Sequence, residues 1–125
     1  MGKKTSELTG IALDWAVYKA GHGEAELHYF VSDPFNKDPW LLLKGLCEMP
    51  LHGYTPTAEW HQGGPIIERE MVCLIPPRAG IELWEAYHPD FPQEEHYGPT
   101  PLIAAMRCYV ASKLGDEVEL PEELK

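Results

Sequence analysis

The stretch TPLIAAMRCYVASKLG at positions 100–115 constrains the fold more than any other part of the chain. Thr100 is a capping residue type, and Pro101 stands at the first helical position, where its missing N–H costs nothing. Gly115 is the residue type that ends a helix. Between them Leu102, Ile103, Met106, Val110 and Leu114 recur three and four residues apart, which is one face of an α-helix. A stripe this apolar has to be buried, so other elements must pack against it.

A second helix is predicted near the start. Thr9 suits an N-cap, and IALDWAVYKA (11–20) carries an apolar stripe at Leu13, Ala16, Val17 and Ala20. Leu8 and Leu13 have the spacing of a hydrophobic staple, and Gly21 supplies the expected stop. AELHYFV (25–31) alternates Leu27, Tyr29 and Val31 with Glu26, His28 and Phe30, a strand pattern. SDPFNKDP (32–39) is turn-rich, and for residues 40–54 a short apolar helix and a loop covering the core both fit. MVCLIP (71–76) and IELWEAY (81–87) read as a β-hairpin around PRAG (77–80). HPDFPQEEHYGP (88–99) reads as a Pro-rich, acidic, aromatic loop.

This order predicts a small single α+β domain over 1–115, an antiparallel sheet with a hairpin covered by N- and C-terminal helices. Residues 116–125 read as a solvated acidic tail. The element order also resembles that of double-stranded RNA-binding domains. Charge argues against that function: twenty acidic residues face ten basic ones, a formal net charge of -10, which repels a phosphate backbone.

Other classes are also disfavoured. No apolar run approaches the ~20 residues of a membrane span, and MGKKTSEL lacks the apolar core of a secretory signal. Cys47, Cys73 and Cys108 are odd in number and far apart, so neither a disulfide framework nor a zinc site is expected. Cys73 and Cys108 read as buried small hydrophobes. The six histidines show no i,i+4 pair and read as a scattered, solvent-facing set. Ser6, Ser32 and Ser112 lack a GxSxG setting. No metal, cofactor or catalytic residue is therefore expected.

WHQGGPIIEREM (60–71) has two readings. In the plainer one, glycine makes a tight turn, Pro65 starts a helix, Ile66 and Ile67 enter the core, and Glu68, Arg69 and Glu70 form a solvated face. In the other, the helix starts at Pro65 and at Thr100 present free N–H groups to one anionic ligand. Candidate ligand-binding residues are then Trp60, Gly63, Gly64, Pro65, Arg69, Thr100 and Arg107. Arg69 or Arg107 would be the counter-ion and Trp60 a stacking platform. Two of Trp15, Trp40, Trp60 and Trp84 facing one cleft would favour that site. A catalytic set of His61, Glu68 and Arg69 has the least support, because helix neighbours share a face only at spacings of three or four.

Three blocks resemble a family of small bacteriophage and prophage proteins, the NinX-like family: TSELTGIALDWAV (5–17), WHQGGPIIERE (60–70) preceded by Glu59, and TPLIAAMRCYVASKLGDEV (100–118). The resemblance extends into the acidic end at Pro121 to Leu124 and is weakest over 21–56 and 76–97. It implies a phage-encoded accessory protein and carries no activity with it; with neither a span nor a secretory signal read in the sequence, the expected location is the host bacterial cytoplasm. The leading expectation is a non-catalytic binder of a small anionic, nucleotide-like ligand that sequesters a host signal. The alternative is an acidic protein–protein inhibitor of a host nucleic-acid or defence enzyme. The expected partner is thus a small anionic ligand or a host protein, with no direct nucleic-acid or membrane contact; homo-oligomerisation stays open.

Overall fold

A computed structural model describes residues 2–22, 26–28, 40–42, 48–50, 54–120 and 124, with the backbone alone for 22, 26–28, 40–42 and 48–50. Strand β1 (Lys3–Lys4) and a 3-10 turn (Thr5–Glu7) lead into helix α1 (Gly10–His22). Short strands β2 (Glu26–His28), β3 (Trp40–Leu42) and β4 (Glu48–Pro50) follow, then helix α2 (Trp60–Glu70). Strands β5 (Cys73–Ile75), β6 (Trp84–His88) and β7 (Phe91–Gly98) precede helix α3 (Pro101–Leu114) and strand β8 (Glu117–Val118). The fold is α+β, and its sheets are antiparallel.

Helix α3 is the centre of the molecule. It packs on β5, β6 and β7 and also touches α1 and α2, so residues on several faces are buried: Leu102, Met106 and Val110, but also Cys108 and Tyr109. Its start is as the sequence predicts, with the Thr100 hydroxyl accepting from the Ile103 N–H at 3.2 Å and Pro101 in the first turn. Each large apolar side chain removed from water here contributes about 1.5–3 kcal/mol. Helix α1 adds Leu13, Ala16 and Val17 to the same core.

The chain ends are stitched together across α3. Lys3 and Lys4 pair with Val118 and Glu117, the Thr5 N–H donates to the Asp116 carbonyl (2.8 Å), and the Thr5 hydroxyl donates to the Gly115 carbonyl (2.7 Å). Val118 and Leu120 are buried while Glu117 and Glu119 are exposed, so the start of the acidic end alternates core and solvent.

Four local expectations are corrected. Gly21 does not stop α1, which runs to His22; Gly21 lies beneath the Tyr109 hydroxyl, where a Cβ would sit 3.3 Å away. Helix α2 starts at Trp60 rather than Pro65, because the preceding 54–59 turn already supplies the entry: the Ala58 and Glu59 amides both donate to the Thr55 carbonyl. Pro65 lies inside the helix, in its second turn, and denies the exposed His61 an i+4 donor. Residues 91–98, read as loop, form β7, a strand at the edge of its sheet that tolerates Pro92. Within 40–54, Trp40–Leu42 and Glu48–Pro50 are strands, pairing in the order β2-β3-β4.

The α2 exit has no glycine to announce it. Met71 takes the left-handed conformation (φ 56°), the Met71 N–H donates to the Glu68 carbonyl, and the Val72 N–H reaches the Ile67 carbonyl. That is a Schellman closure built on a residue that pays for its φ. Among the described residues, no helix is long and apolar enough to cross a membrane.

Candidate functional site

The three helices converge on a cleft of ≈ 480 Å³, α1 and α3 with their last turns and α2 along one face. Helix α1 contributes Val17, Ala20 and Gly21, residues three and four apart on one face. Helix α2 contributes Gln62, Pro65, Ile66, Arg69 and Glu70, and α3 contributes Tyr109 and Lys113, an i,i+4 pair. Tyr54, from the turn before α2, completes the lining. The turn is held against α1 by the Thr57 N–H, which donates to Asp14 Oδ1 at 3.0 Å, and against α2 by the Thr55 N–H, which donates to Gln62 Oε1 at 2.7 Å.

The Arg69 guanidinium stands over the Tyr109 ring. Arg69 Nη2 donates to the Tyr109 hydroxyl at 3.2 Å, and the guanidinium carbon lies 5.7 Å from that ring's centroid. Tyr54 meets Tyr18 edge to face with centroids 5.5 Å apart. Burial, together with Tyr109, Asp14 and Tyr18 and against the opposing pull of Arg69, pushes the Tyr54 hydroxyl well above the ordinary phenol range. Arg69 and Lys113 keep 59% and 43% of their side chains exposed, so both ammonium and guanidinium can reach a ligand.

Glu70 joins the two. Its Oε2 lies 3.3 Å from Arg69 Nε, and its Oε1 lies 3.5 Å from Lys113 Nζ and 3.1 Å from Nε2 of His88 on β6. Burial raises the carboxyl's pKa, but hydrogen bonds from His88 and Arg69 and the charge of Lys113 outweigh it and hold the group below its ordinary value. His88 is buried, a departure from the expected solvent-facing set.

The seven sequence candidates fall in different places. Pro65 and Arg69 line the cleft. Gly63 does bring the start of α2 against the start of α3, but the contact is filled: a Cβ there would run into the Pro56 carbonyl and lie 2.7 Å from Leu102 Cδ2. Gly64 faces nothing closer than Trp60 of its own helix, 3.9 Å from a built Cβ. Trp60 is 54% exposed at the head of α2; Trp15 is buried and Trp84 half-buried, while the Trp40 side chain lies outside the described residues. Thr100 spends its hydroxyl on its own helix. Arg107 ties backbone together, donating from Nε to the Leu8 carbonyl (3.0 Å) and from Nη1 to the Tyr97 carbonyl (2.8 Å).

The other chemical groups lead elsewhere. His61 and Glu68 are exposed, His61 lies 3.8 Å from Glu59, and the contacts of Arg69 are with Glu70 and Tyr109. Cys108 is buried as expected, and burial, helped by Glu94, pushes its thiol up to about 12. Cys73 is exposed, correcting the expectation of burial: its strand, β5, pairs with β6 alone among the described strands. Cys47 lies outside the described residues.

Tyr54, Tyr109, Lys113, Glu70 and His88 were not among the sequence candidates. Part of the signal was present: Gln62, Ile66 and Arg69 are spaced four and three apart, as Tyr109 and Lys113 are spaced four apart. Which helix faces meet is a tertiary fact, and it had no counterpart in the spacing.

Fold and cleft together define a small α+β protein whose helices leave a polar, cation-bearing cleft between them. The family model described as Bacteriophage P22, NinX matches residues 4–113, and the chain belongs to that family of phage accessory proteins. No curated protein matches the chain.

Proposed function

We propose that the protein is a non-catalytic binder of a small anionic, nucleotide-like ligand, held in the cleft between the three helices, and that it sequesters a host signal. One observation carries the reading: Arg69 and Lys113 flank a ≈ 480 Å³ cleft with Tyr54 and Tyr109 in its wall, in a chain of net charge -10. Helix C-termini carry partial negative charge, which favours cations nearby. The same polarity means that an anion here depends on the two side chains and not on helix N–H groups. Tyr54 is half-buried and offers ring surface for a planar group, while Tyr109 is buried and supports the Arg69 guanidinium from within. Volume and lining suit a ligand of nucleotide size.

Thermal shift and calorimetry against mono-, cyclic and dinucleotides test this. A midpoint increase with at least one of them, lost in Arg69→Ala, supports it; no response at millimolar concentrations sinks it.

A second reading, an acidic inhibitor of a host nucleic-acid or defence enzyme, draws on β7. Gln93, Glu94 and Glu95 are exposed along this edge strand, and Phe91 at its start is 42% exposed. An acidic strand edge suits a basic protein surface. Capture from host lysate at low and high salt separates the two: one salt-sensitive protein partner whose capture Glu94→Lys abolishes favours this reading.

A further inference from the structure

The β5–β6–β7 sheet has two unlike faces. On β6, Ala86 enters the core while Glu85 and Tyr87 take the opposite face, and the register sets Ile75 and Tyr97 on either side of Glu85 and Cys73 beside Tyr87. At the hairpin end of the sheet lies an open hollow of ≈ 470 Å³, lined by Met71 and Cys73, by Tyr87 and His88, and by Pro89 and Pro92. None of the six is a carboxylate, a lysine or an arginine. Met71 is 74% exposed on a left-handed backbone (φ 56°), and Phe91, which pairs with His88 in the register, is exposed as well. An apolar cluster is thus held in water at this end of the sheet. Its rim is acidic. Arg78 is taken up by Glu85 at 3.0 Å, whereas Glu95 and Glu94 are exposed and Asp90 keeps 78% of its side chain exposed, with Oδ2 3.8 Å from His88 Nδ1. The hydrogen bond to Glu85, burial and then the charges of Glu85 and Glu95 push the Tyr87 phenol up to about 12, so Glu95 lies within charge range of the hollow's wall.

We propose that this hollow docks an extended basic segment of a host protein, which lays one large apolar side chain into it and its neighbouring Lys or Arg residues against Glu95, Glu94 and Asp90. The proposal rests on the inhibitor reading above and names where, and by what chemistry, the partner is held. Charge complementarity selects the occupant. A second copy of this chain would bring a net charge of -10 towards the same carboxylates, whereas a basic segment gains as it approaches. Pro92 belongs both to the hollow and to β7, which ends the strand order, so among the described strands the outer edge of β7 is open to a chain running alongside. Pro92 has no N–H to offer, so such pairing begins beyond it, at the acidic residues. An apolar anchor inside a charged rim is how protein interfaces concentrate affinity and exclude wrong partners.

Panning a displayed library of random short peptides on the full chain, followed by fluorescence polarisation with the selected peptides, tests this. The expected peptides carry Lys or Arg on both sides of a Leu, Phe or Trp, and their binding weakens with added salt. Cys73→Tyr fills the hollow from an exposed strand position, and Glu95→Lys inverts the charge of the rim. Each is expected to lower affinity at least about tenfold, the scale of losing one apolar anchor or one charged contact, while Arg69→Ala in the helix cleft leaves it unchanged. Met71→Gly puts the residue that favours a left-handed backbone where one is needed, so it keeps the fold while removing one wall, and it is expected to weaken binding in the same direction. It decides the matter if Cys73→Tyr does not fold. A library that yields no binder, selected peptides without basic residues, or an affinity that any folded variant of Cys73, Met71 or Glu95 leaves unchanged overturns the docking site. Host-lysate capture that still depends on Glu94 then leaves the inhibitor reading standing without the hollow; its absence removes both.

Discussion

The two adjacent glycines of α2 provide the sharpest test of the packing, because the structure assigns opposite signs to the same substitution one residue apart. At Gly63 a new Cβ meets the Pro56 carbonyl and lies 2.7 Å from Leu102 Cδ2. Leu102 can shift its end methyl, but Pro56 belongs to the turn that the Thr57–Asp14 and Thr55–Gln62 hydrogen bonds hold in place. Overpacking of this kind costs about 1–3 kcal/mol, more when backbone must move. Alanine's better helix propensity returns about 1 kcal/mol. Gly63→Ala is therefore expected to lose about 2 kcal/mol, which in a chain of 125 residues lowers the thermal midpoint by about 8 °C. Gly64→Ala meets only Trp60 at an ordinary 3.9 Å and keeps the propensity gain of about 1 kcal/mol, raising the midpoint by about 4 °C. Circular dichroism melts of the two variants beside wild type measure the difference. A Gly63→Ala protein as stable as wild type, or a Gly64→Ala protein that loses stability, would refute the account of how α2 meets α3.

Other consequences are equally direct. Arg107→Ala leaves the Leu8 and Tyr97 carbonyls without their donor and is expected to cost about 1–3 kcal/mol in urea denaturation. Because the Glu70 pKa is lower in the folded chain than the ordinary 4.5, its contribution is complete above that pH and disappears as pH falls through the folded-state value. Denaturation of wild type and Glu70→Gln from neutral to acid pH should therefore converge at the acid end, where wild type loses an advantage that the variant never had. Cys73 is exposed and Cys108 is buried with its thiol pushed up to about 12, so iodoacetamide at neutral pH followed by peptide mapping should label Cys73 and spare Cys108 in the native protein.

Legibility followed the kind of force involved. Helix α3 announced itself through Thr100, Pro101 and the apolar period, all local signals, and the β5–β6 hairpin through its β-prone runs. Strand β7 was hidden because Pro92, Glu94 and Glu95 look like loop; they are tolerated because β7 lies at a sheet edge and exposes them. The start of α2 was misplaced because Pro65 is a strong start signal, while the true entry depends on the Thr55 carbonyl and on a turn anchored to Asp14. The exit at Met71 lacked the usual glycine. At the cleft, Arg69 and Pro65 were visible in a conspicuous motif. Tyr54, Tyr109 and Lys113 joined them only because faces of α1, α2 and α3 meet there, next to the turn that precedes α2. Arg107 looked equivalent to Arg69 in sequence, yet its donors are committed to two backbone carbonyls.

That contrast between the two arginines also supplies the most direct measurement of the central claim. Calorimetric titration of wild type, Arg69→Ala, Lys113→Ala and Arg107→Ala, each confirmed as folded, with the nucleotide that gives the largest thermal shift, separates a cleft from general charge. The cleft account predicts at least about a tenfold loss of affinity for Arg69→Ala and for Lys113→Ala, the scale of losing one charge-assisted contact, and an unchanged constant for Arg107→Ala. Equal affinity in all four proteins, or an equal loss in all three variants, contradicts it.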